Sequence, residues 1–312
     1  MRRIVELLTR LASFLFAWLP IARRERLAGD GKRVLVSGCD SGIGLRLAQR
    51  LHEAGYRVLA GCHRSDSEGS RLLEKLRGGE NPVQVLQLDV TSDRSVRRAL
   101  VDGRVHDEGL WGLVNNAGVC VLGEFEWMTT EQVERTVAVN VLGTLRLTKH
   151  CLPYIRRSRG RVVSVSTVAA AAPGLPCTAA YYASKTAVES FSRCLRLELA
   201  RHGAHASVVR PGDLDMWESM DEEQRSVHGR YVTGFVRGCQ PQQSSLSPSQ
   251  LDDSPVFGHI EHALGSRRPR ALYVSDSGLW PLFLRTLSIL PTALSDAVAS
   301  LFYSRLGRLG ND

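Results

Sequence analysis

The glycine-rich stretch GCDSGIG constrains the fold of this chain more than any other part of the sequence. It follows a short β-type run at residues 33–37 and precedes apolar residues at helical spacing from 45 to 51. In a strand, glycine turn and helix of this kind, backbone N–H groups and the helix N-terminus can face a pyrophosphate. The spacing is G-x3-G-x-G, so a tight turn without a ligand is the alternative. A second β-type run at residues 56–61 arrives where a β-α-β unit needs it, which favours the dinucleotide site.

Strand and helix patterns alternate along the rest of the chain. β-type runs occur within residues 83–88, 110–118, 162–165, 206–210 and 270–274, and helical patterns cover residues 130–152 and 256–264. Such alternation is typical of a parallel sheet covered by helices on both faces. We therefore predict an α/β fold with a single Rossmann-type, doubly wound parallel sheet over residues 32–276. Residues 1–31 are predicted to be a membrane-associating or targeting segment, and residues 277–312 an apolar C-terminal extension.

Ligands of such a sheet bind at the carboxyl ends of its strands. After the second strand of such a sheet, an acid bonds the ribose 2′-hydroxyl of NAD, whereas an arginine binds the 2′-phosphate of NADP. This chain has Cys62, His63 and Arg64 there, with no acid. Arg64 is therefore either a ligand for a 2′-phosphate or a solvated loop residue. Asp89 follows the third strand and either holds an adenine amino group or helps to cap the next helix. The candidate cofactor-binding residues are Gly38, Asp40, Ser41, Gly42, Ile43, Gly44, Arg64, Asp89, Asn116, Ala117, Gly118, Lys185, Pro211 and Gly212.

Tyr181 and Lys185 are the main catalytic candidates. They are four residues apart, so on a helix the phenol and the ammonium point the same way. A phenol has an ordinary pKa of about 10, and a neighbouring cation lowers that pKa. The pair therefore predicts a tyrosine that can carry a proton near neutral pH.

Three further polar residues are catalytic candidates. Ser166 and Thr167 follow the β-type run that ends at residue 165. Asn140 interrupts an apolar helical stretch, where an amide is unfavourable unless it is hydrogen-bonded. It is either a satisfied structural amide or the holder of a water in a proton path. The seven cysteines are odd in number and lack metal-site spacing, so we predict no metal and a reduced compartment.

The amino-terminal segment carries much of the net charge of +8. This location predicts a membrane-facing or targeting segment and argues against a nucleic-acid partner. Residues 4–22 are largely apolar, but Glu6 and Arg10 would be costly at the centre of a bilayer. An interfacial helix, a weak signal anchor, a cleaved presequence and a helix packed on the protein's own surface all remain open.

Five motifs resemble the short-chain dehydrogenase/reductase family, in its order and spacing, over residues 32–212. They are GCDSGIG, LDV, NNAG, the mid-helix Asn140 and Tyr181-x3-Lys185. GCDSG, LWGLVNNAG and GTLRLTKHCLPYIRRSRGRVV are most similar to one branch of that family. It holds D-3-hydroxybutyrate dehydrogenase, the retinol dehydrogenases and the type 2 17β- and 11β-hydroxysteroid dehydrogenases.

The resemblance implies an NAD(P)-dependent oxidoreductase that interconverts a secondary alcohol and a ketone, with a 3-hydroxybutyrate-like or steroid substrate ahead of retinol. Tyr181 would be the general acid/base, Lys185 would hold the nicotinamide ribose and lower the tyrosine's pKa, and Asn140 would support a relay water. By alignment the hydroxyl that polarises the substrate falls on Thr167, where the family has serine, with Ser166 as a substitute. NAD is expected ahead of NADP. A homodimer or homotetramer at a membrane surface, in the mitochondrion or the endoplasmic reticulum, is expected as well.

Departures from the family pattern motivate a second hypothesis, a nucleotide-binding scaffold with little or no turnover. Met216 stands near the position of a family threonine that touches the nicotinamide amide, and part of the substrate-covering loop is missing. The late stretch LWPLFLRTLSILP is broken by Pro281 and Pro291, and it is interpreted as a lid, a membrane-dipping hairpin, or a core or subunit contact. The histidines at 228, 259 and 262 are predicted to be surface residues.

Overall fold

The computed structural model describes residues 29–121, 123–171, 174, 178–212, 254–275 and 280–308. The amino-terminal segment predicted to associate with a membrane lies outside these residues. So do Met216 and the stretch that follows it up to residue 253.

Seven parallel strands form one sheet in the order β3-β2-β1-β4-β5-β6-β7. Their bounds are β1 Arg33–Ser37, β2 Arg57–Cys62, β3 Val83–Gln87, β4 Gly112–Asn115, β5 Arg161–Val165, β6 His205–Pro211 and β7 Leu272–Ser275. The strand order reverses between β1 and β4. In sheets of this kind, the crevice outside the carboxyl ends of those two strands is the usual ligand site.

Helices connect the strands and cover both faces of the sheet. Their bounds are α1 Gly42–Glu53, α2 Glu68–Glu74, α3 Asp93–Asp102, α4 Val105–Glu108, α5 Thr130–Val137, α6 Thr144–Ser158, α7 Ala179–Ala200, α8 Pro255–Gly265, α9 Trp280–Ile289 and α10 Thr292–Arg308. A π-helical segment, Ala138–Gly143, joins α5 to α6. Side-chain oxygens of Ser67, Ser92 and Thr129 accept backbone N–H groups at the starts of α2, α3 and α5, which fixes where these helices begin.

The hydrophobic core lies in two layers, one on each face of the sheet. The first layer takes residues such as Leu47 and Phe257 from α1 and α8. The second takes residues such as Leu147 and Leu195 from α6 and α7. This doubly wound arrangement confirms the fold class predicted from the alternation of strand and helix patterns.

The predicted helix over residues 130–152 is wrong in its detail. The chain instead forms α5, then the π-helical segment, then α6, which continues through Pro153 to Ser158. Within this π segment the amide of Asn140 bonds to Val119, in the loop after β4, and to Ser184 of α7, and an apolar periodicity does not encode the extra residue per turn. The run predicted within residues 110–118 is shorter in the structure, Gly112–Asn115, because the small and amide residues after it form a loop. The other predicted strands and the helix at 256–264 agree with the observed ones to within two residues at each end.

The C-terminal stretch forms α9 and α10. Pro281 lies in the first turn of α9, where a missing N–H group costs little, and Pro291 separates the two helices. Leu284 and Leu287 are buried, and α9 packs against the short turn at Val168–Ala171. This packing favours the core-contact interpretation. Within the part of the chain that the structure describes, no helix has the length and apolar character needed to cross a bilayer.

The prediction of surface histidines is wrong for His262. Its ring is 3% exposed, and Nδ1 lies 2.8 Å from the hydroxyl of Tyr273. His259 is half-buried, its Nδ1 lies 2.7 Å from the Ser275 hydroxyl, and burial lowers its pKa to about 4. The partners come from β7, so only tertiary packing reveals them; His228 lies outside the described residues.

Candidate active site

A cavity of about 520 Å³ opens at the carboxyl ends of the central strands. This volume is within the range of small-molecule sites. Fourteen of the predicted site residues line it: Gly38, Asp40, Ser41, Ile43, Gly44, Arg64, Asp89, Asn116, Ala117, Gly118, Ser166, Tyr181, Lys185 and Pro211. Elements that are far apart in sequence therefore bring most of the predicted residues together.

Four predicted site residues do not line the cavity that the described residues form. They are Gly42, Gly212, Thr167 and Asn140. Gly42 has a φ of 53° at the start of α1, so it serves the turn rather than the cavity wall. The N–H of Gly212 donates to the carbonyl of Ser275 at 3.3 Å and joins the end of β6 to β7.

Nine lining residues were not predicted: His63, Leu88, Val90, Thr91, Val119, Cys120, Arg135, Val139 and Val165. Most of them are within two positions of a predicted residue at the carboxyl end of a strand. Including the neighbours of each predicted residue would therefore have identified them. Arg135 and Val139 instead come from α5 and the π-helical segment. Only the packing of these segments over the sheet places them at the cavity.

The turn between β1 and α1 is closed by backbone contacts that exclude side chains. A Cβ atom on Gly44 would lie 1.9 Å from the carbonyl oxygen of Gly38, and one on Gly38 would lie 2.8 Å from Cα of Ala117. The amide of Asn116 donates to the carbonyls of Ser37 and Gly38 at 3.0 and 3.1 Å. The turn therefore holds a side-chain-free surface at the helix N-terminus, which is the chemistry that binds a phosphate.

An acid does sit at the end of β2, although the sequence shows none there. The carboxylate of Asp40 accepts the N–H of His63 at 2.8 Å and the N–H of Arg64 at 2.9 Å. Asp40 belongs to the glycine turn, more than twenty positions earlier. A carboxylate thus reaches the position at which such sheets recognise the adenosine ribose.

The ends of β2 and β3 provide further polar groups. Asp89 accepts both the N–H and the hydroxyl of Thr91, at 2.8 and 2.7 Å, while Ser92 caps α3. Asp89 therefore orders the loop after β3 and is not the helix cap. Arg64 is exposed at the rim, and Arg135 is a second exposed guanidinium at the cavity wall.

Tyr181 and Lys185 lie on the buried face of α7 as predicted, 4% and 6% exposed. The ammonium is 5.8 Å from the centroid of the phenol ring, and it donates to the carbonyl of Val165 at 3.0 Å. Burial lowers the pKa of Lys185 to about 8, and electrostatic interactions with Cys120 and Glu189 act in the opposite direction. A cation thus stands beside a phenol in a cavity wall.

The two hydroxyls after β5 have different environments. Ser166 lines the cavity, and its hydroxyl donates to the carboxylate of Glu189 at 2.7 Å. Thr167 is fully buried, and its Oγ1 accepts the N–H of Ala169 at 3.3 Å. In these two bonds the Ser166 hydroxyl acts as a donor and the Thr167 hydroxyl as an acceptor.

Asn140 is a hydrogen-bonded amide inside the π-helical segment. Its Oδ1 accepts the N–H of Val119 at 2.8 Å, and its Nδ2 donates to the Val119 carbonyl at 2.9 Å and to the Ser184 hydroxyl at 3.0 Å. The side chain joins the loop after β4 to α7. It thereby fixes the strip of backbone, Gly118 included, that faces Lys185.

The described residues fit a dinucleotide. A side-chain-free turn lies at a helix N-terminus, a carboxylate stands after β2, and an ammonium with a phenol lines the same cavity. Within the described ranges, no group of three or more potential ligands is placed to hold a metal ion. None of the five cysteines in the described ranges forms a disulfide; they are Cys39, Cys62, Cys120, Cys151 and Cys194.

Sequence comparison places this arrangement among known proteins. The sequence model of the family described as short chain dehydrogenase matches residues 32–226. Mitochondrial D-beta-hydroxybutyrate dehydrogenase of Bos taurus is 33% identical over 309 residues, which cover 90% of this chain and 88% of the relative. Estradiol 17-beta-dehydrogenase 2 of Mus musculus is 33% identical, with 93% and 80% covered, and retinol dehydrogenase 7 of Mus musculus is 35% identical, with 86% and 87% covered.

Solved structures share the fold. A short-chain dehydrogenase from Streptomyces avermitilis superposes with a TM-score of 0.63 at 23% identity, covering 90% of this chain and 99% of that chain. The structure of ElxO with NADP bound superposes with a TM-score of 0.65 at 22% identity, covering 80% and 99%. At these identities the likeness concerns the architecture alone.

Proposed function

The chain belongs to the short-chain dehydrogenase family, and from this membership we propose that it interconverts a secondary alcohol and a ketone with a nicotinamide cofactor. The observation that carries the proposal is the placement of Tyr181 and Lys185 in the wall of the cavity that the glycine turn also lines. Relatives across most of the chain's length are named dehydrogenases, which supports the same activity.

In the proposed reaction Tyr181 moves the proton. During alcohol oxidation its phenolate accepts the hydroxyl proton of the substrate, and during ketone reduction its phenol returns that proton. The ammonium of Lys185 stabilises the phenolate, and with a pKa of about 8 it is still charged at neutral pH. The bound nicotinamide supplies the hydride acceptor or donor.

Asn140 and a hydroxyl after β5 complete the proposed site. Asn140 holds the loop after β4 in place through Val119, and this contact keeps Gly118 close to Lys185. The resemblance assigns the bond to the substrate oxygen to Thr167, and we propose this residue first because the only proton of the Ser166 hydroxyl goes to Glu189. Thr167 is buried next to Ser166, which lines the cavity, so this role requires the Thr167 hydroxyl to become accessible when substrate binds. Support of a relay water by Asn140 stays a prediction.

The cofactor is proposed to be NAD, with NADP as the second choice. The carboxylate of Asp40 lies where the adenosine ribose would bind, and it would accept a 2′-hydroxyl and repel a 2′-phosphate. Arg64 acts in the opposite sense, since a guanidinium at the rim would attract that phosphate. Two backbone N–H groups hold Asp40 in place, which is why we rank NAD first.

The substrate is proposed to be 3-hydroxybutyrate-like or a steroid, with retinol less favoured. These substrate classes appear in the names of the relatives. The D-beta-hydroxybutyrate dehydrogenase of Bos taurus is also named as mitochondrial. We further propose a homodimer or homotetramer that associates with a membrane surface of the mitochondrion or the endoplasmic reticulum. The apolar and basic character of the amino-terminal sequence supports this location.

A panel of purified variants tests the proposal. The wild type is assayed with NAD or NADP and 3-hydroxybutyrate, estradiol or retinol, and reduced cofactor is followed at 340 nm. We expect Tyr181→Phe to lower kcat by about 10²–10⁴, while Tyr182→Phe, the neighbouring phenol whose ring centroid is 5.9 Å away, stays near wild type. Binding of NADH without turnover of any alcohol in the panel would support the nucleotide-binding scaffold instead.

A further inference from the structure

Glu189 is a buried carboxylate that the proposed reaction does not use. It lies one helical turn after Lys185 on α7, and its side chain is 5% exposed. Its Oε1 accepts the Ser166 hydroxyl at 2.7 Å and Nε of Arg210 at 2.7 Å, and its Oε2 accepts Nη2 of Arg210 at 2.6 Å. Three donors, two of them from one guanidinium, hold the carboxylate in a single orientation.

We propose that Glu189 is a positioning residue of the active site, which orients the Ser166 hydroxyl and maintains the positive charge of Lys185 from behind the cavity wall. The inference rests on the proposed function and extends it to a residue that lies outside the cavity. No contact of Glu189 with a substrate or cofactor is required.

Two successive turns of α7 are hydrogen-bonded to two successive residues at the end of β5, Val165 and Ser166. Lys185 donates to the carbonyl of Val165, and Glu189 accepts from Ser166. The hydroxyl of Ser166 has one proton, and because Glu189 receives it, Ser166 offers only lone pairs to the cavity. It can accept a bond from an alcohol, but it cannot donate one to a ketone oxygen.

Among the described residues, few charged groups act on Lys185 and Glu189. Cys120, from the loop after β4, and Glu189 favour the charged form of Lys185 against the cost of burial. Glu189 itself faces Arg210 from β6 and, at 3.8 Å, Arg193 on its own helix, whose side chain is 70% exposed. Arg285 from α9 approaches Arg210, whose charge adds to burial in lowering the pKa of Arg285.

Competitive labelling tests the proposal without any turnover. Trace acetic anhydride is applied to the full chain between pH 6 and 11, and acetylation of the peptide containing Lys185 is quantified by mass spectrometry. The labelling midpoint of Lys185 in Glu189→Gln should fall below that of the wild type by about one pH unit, the effect of removing one nearby opposite charge. Glu189→Asp keeps the charge and should restore most of this shift. Arg193→Gln, which removes an exposed cation at the same carboxylate, should leave the midpoint unchanged.

A double variant guards against failure to fold. Glu189→Gln with Arg210→Gln removes both buried charges and leaves two amides in their place, and it should also lower the midpoint, because Glu189 is the member of this ion pair that acts on Lys185. An unchanged midpoint in whichever of the two Gln variants folds would overturn the role of Glu189, and so would an equal fall in Glu189→Asp. Neither result depends on finding a substrate. The dehydrogenase proposal is tested separately, by the assay of cofactor reduction.

Discussion

The ammonium of Lys185 donates a hydrogen bond to the carbonyl of Val165, the last residue of β5, at 3.0 Å. This bond fixes α7 against the centre of the sheet, and it places a cation in an almost fully buried position. Burial disfavours the charged form, so the pKa of this amine falls to about 8. The cavity wall therefore contains a group that titrates close to physiological pH.

The first prediction concerns stability as a function of pH. The folded chain holds the Lys185 proton only below pH about 8, whereas an unfolded chain holds it up to about 10.5. Unfolding therefore takes up a proton between these values, and stability contributed through Lys185 rises with pH. Relative to Lys185→Met, the wild type should gain up to about 3 kcal/mol of unfolding free energy across this window. Urea unfolding at several pH values measures the difference.

A matched control for this experiment is Lys149→Met, which removes an exposed amine from α6. Its stability curve should run parallel to that of the wild type throughout. Parallel curves for the Lys185→Met variant as well would show that the amine has an ordinary pKa in the folded chain.

The second prediction concerns the glycine turn. Gly44→Ala would place a methyl group 1.9 Å from the Gly38 carbonyl oxygen, so the turn must open. Overpacking of this kind costs about 1–3 kcal/mol, and we expect NADH affinity, measured by fluorescence titration, to fall by roughly ten- to a hundredfold. Gly78→Ala, where a Cβ atom meets nothing within 4 Å, should bind NADH as the wild type does. Equal affinity of the two variants would argue against a phosphate site at this turn.

The third prediction concerns the choice between NAD and NADP. Asp40→Asn removes the negative charge and keeps one of the two oxygens that accept the N–H groups of His63 and Arg64. The preference for NADH over NADPH should fall roughly tenfold, the effect of about 1.4 kcal/mol of relieved repulsion. Asp66→Asn, an exposed change in the loop after β2 that contains His63 and Arg64, should not alter the ratio. An unchanged ratio in the Asp40 variant would assign cofactor choice to Arg64 alone.

The fourth prediction separates the two hydroxyls after β5. Thr167→Val should lower kcat by about 10²–10³, the usual cost of losing one donor to a developing oxyanion, and Thr167→Ser should recover most of the activity. Ser166→Ala should cost less, because the proton of that hydroxyl is given to Glu189 and not to a substrate. A larger loss in the Ser166 variant would reverse this assignment.

The fifth prediction concerns the buried amide. Asn140→Ala leaves the N–H and the carbonyl of Val119 without the partner they have in the structure. Buried polar groups left in this state cost about 1–3 kcal/mol each, so thermal unfolding should reveal a loss of about 2–4 kcal/mol. A variant as stable as the wild type would show that solvent reaches Val119.

The sequence predicted those parts of the site that are formed by residues close together in the chain. The spacing of Tyr181 and Lys185 places both on one face of any helix, and the glycine turn is recognisable from its own residues. The role of Asp40 depends on how the chain returns after α1, so no local pattern contains it. The burial of Glu189 could not be predicted for the same reason. A carboxylate on a helix normally faces solvent, and the hydrogen bonds from Arg210 and Ser166 that stabilise it come from distant parts of the chain.

The π-helical segment makes this part of the chain sensitive to insertions and deletions. Successive residues of an α-helix are about 100° apart around the axis. Loss of one residue between 138 and 143 would restore α-helical spacing and leave α6 in nearly its present rotation relative to α5, because the wider π turn is what absorbs that residue. Insertion of one further residue would instead rotate α6 by about that angle. The deletion would remove the wide turn that presents the Asn140 amide to Val119, and the insertion would carry the hydroxyl of Thr148 away from the Asn115 amide that it accepts. Variation in chain length should therefore be tolerated in surface connections and excluded from this one helical turn.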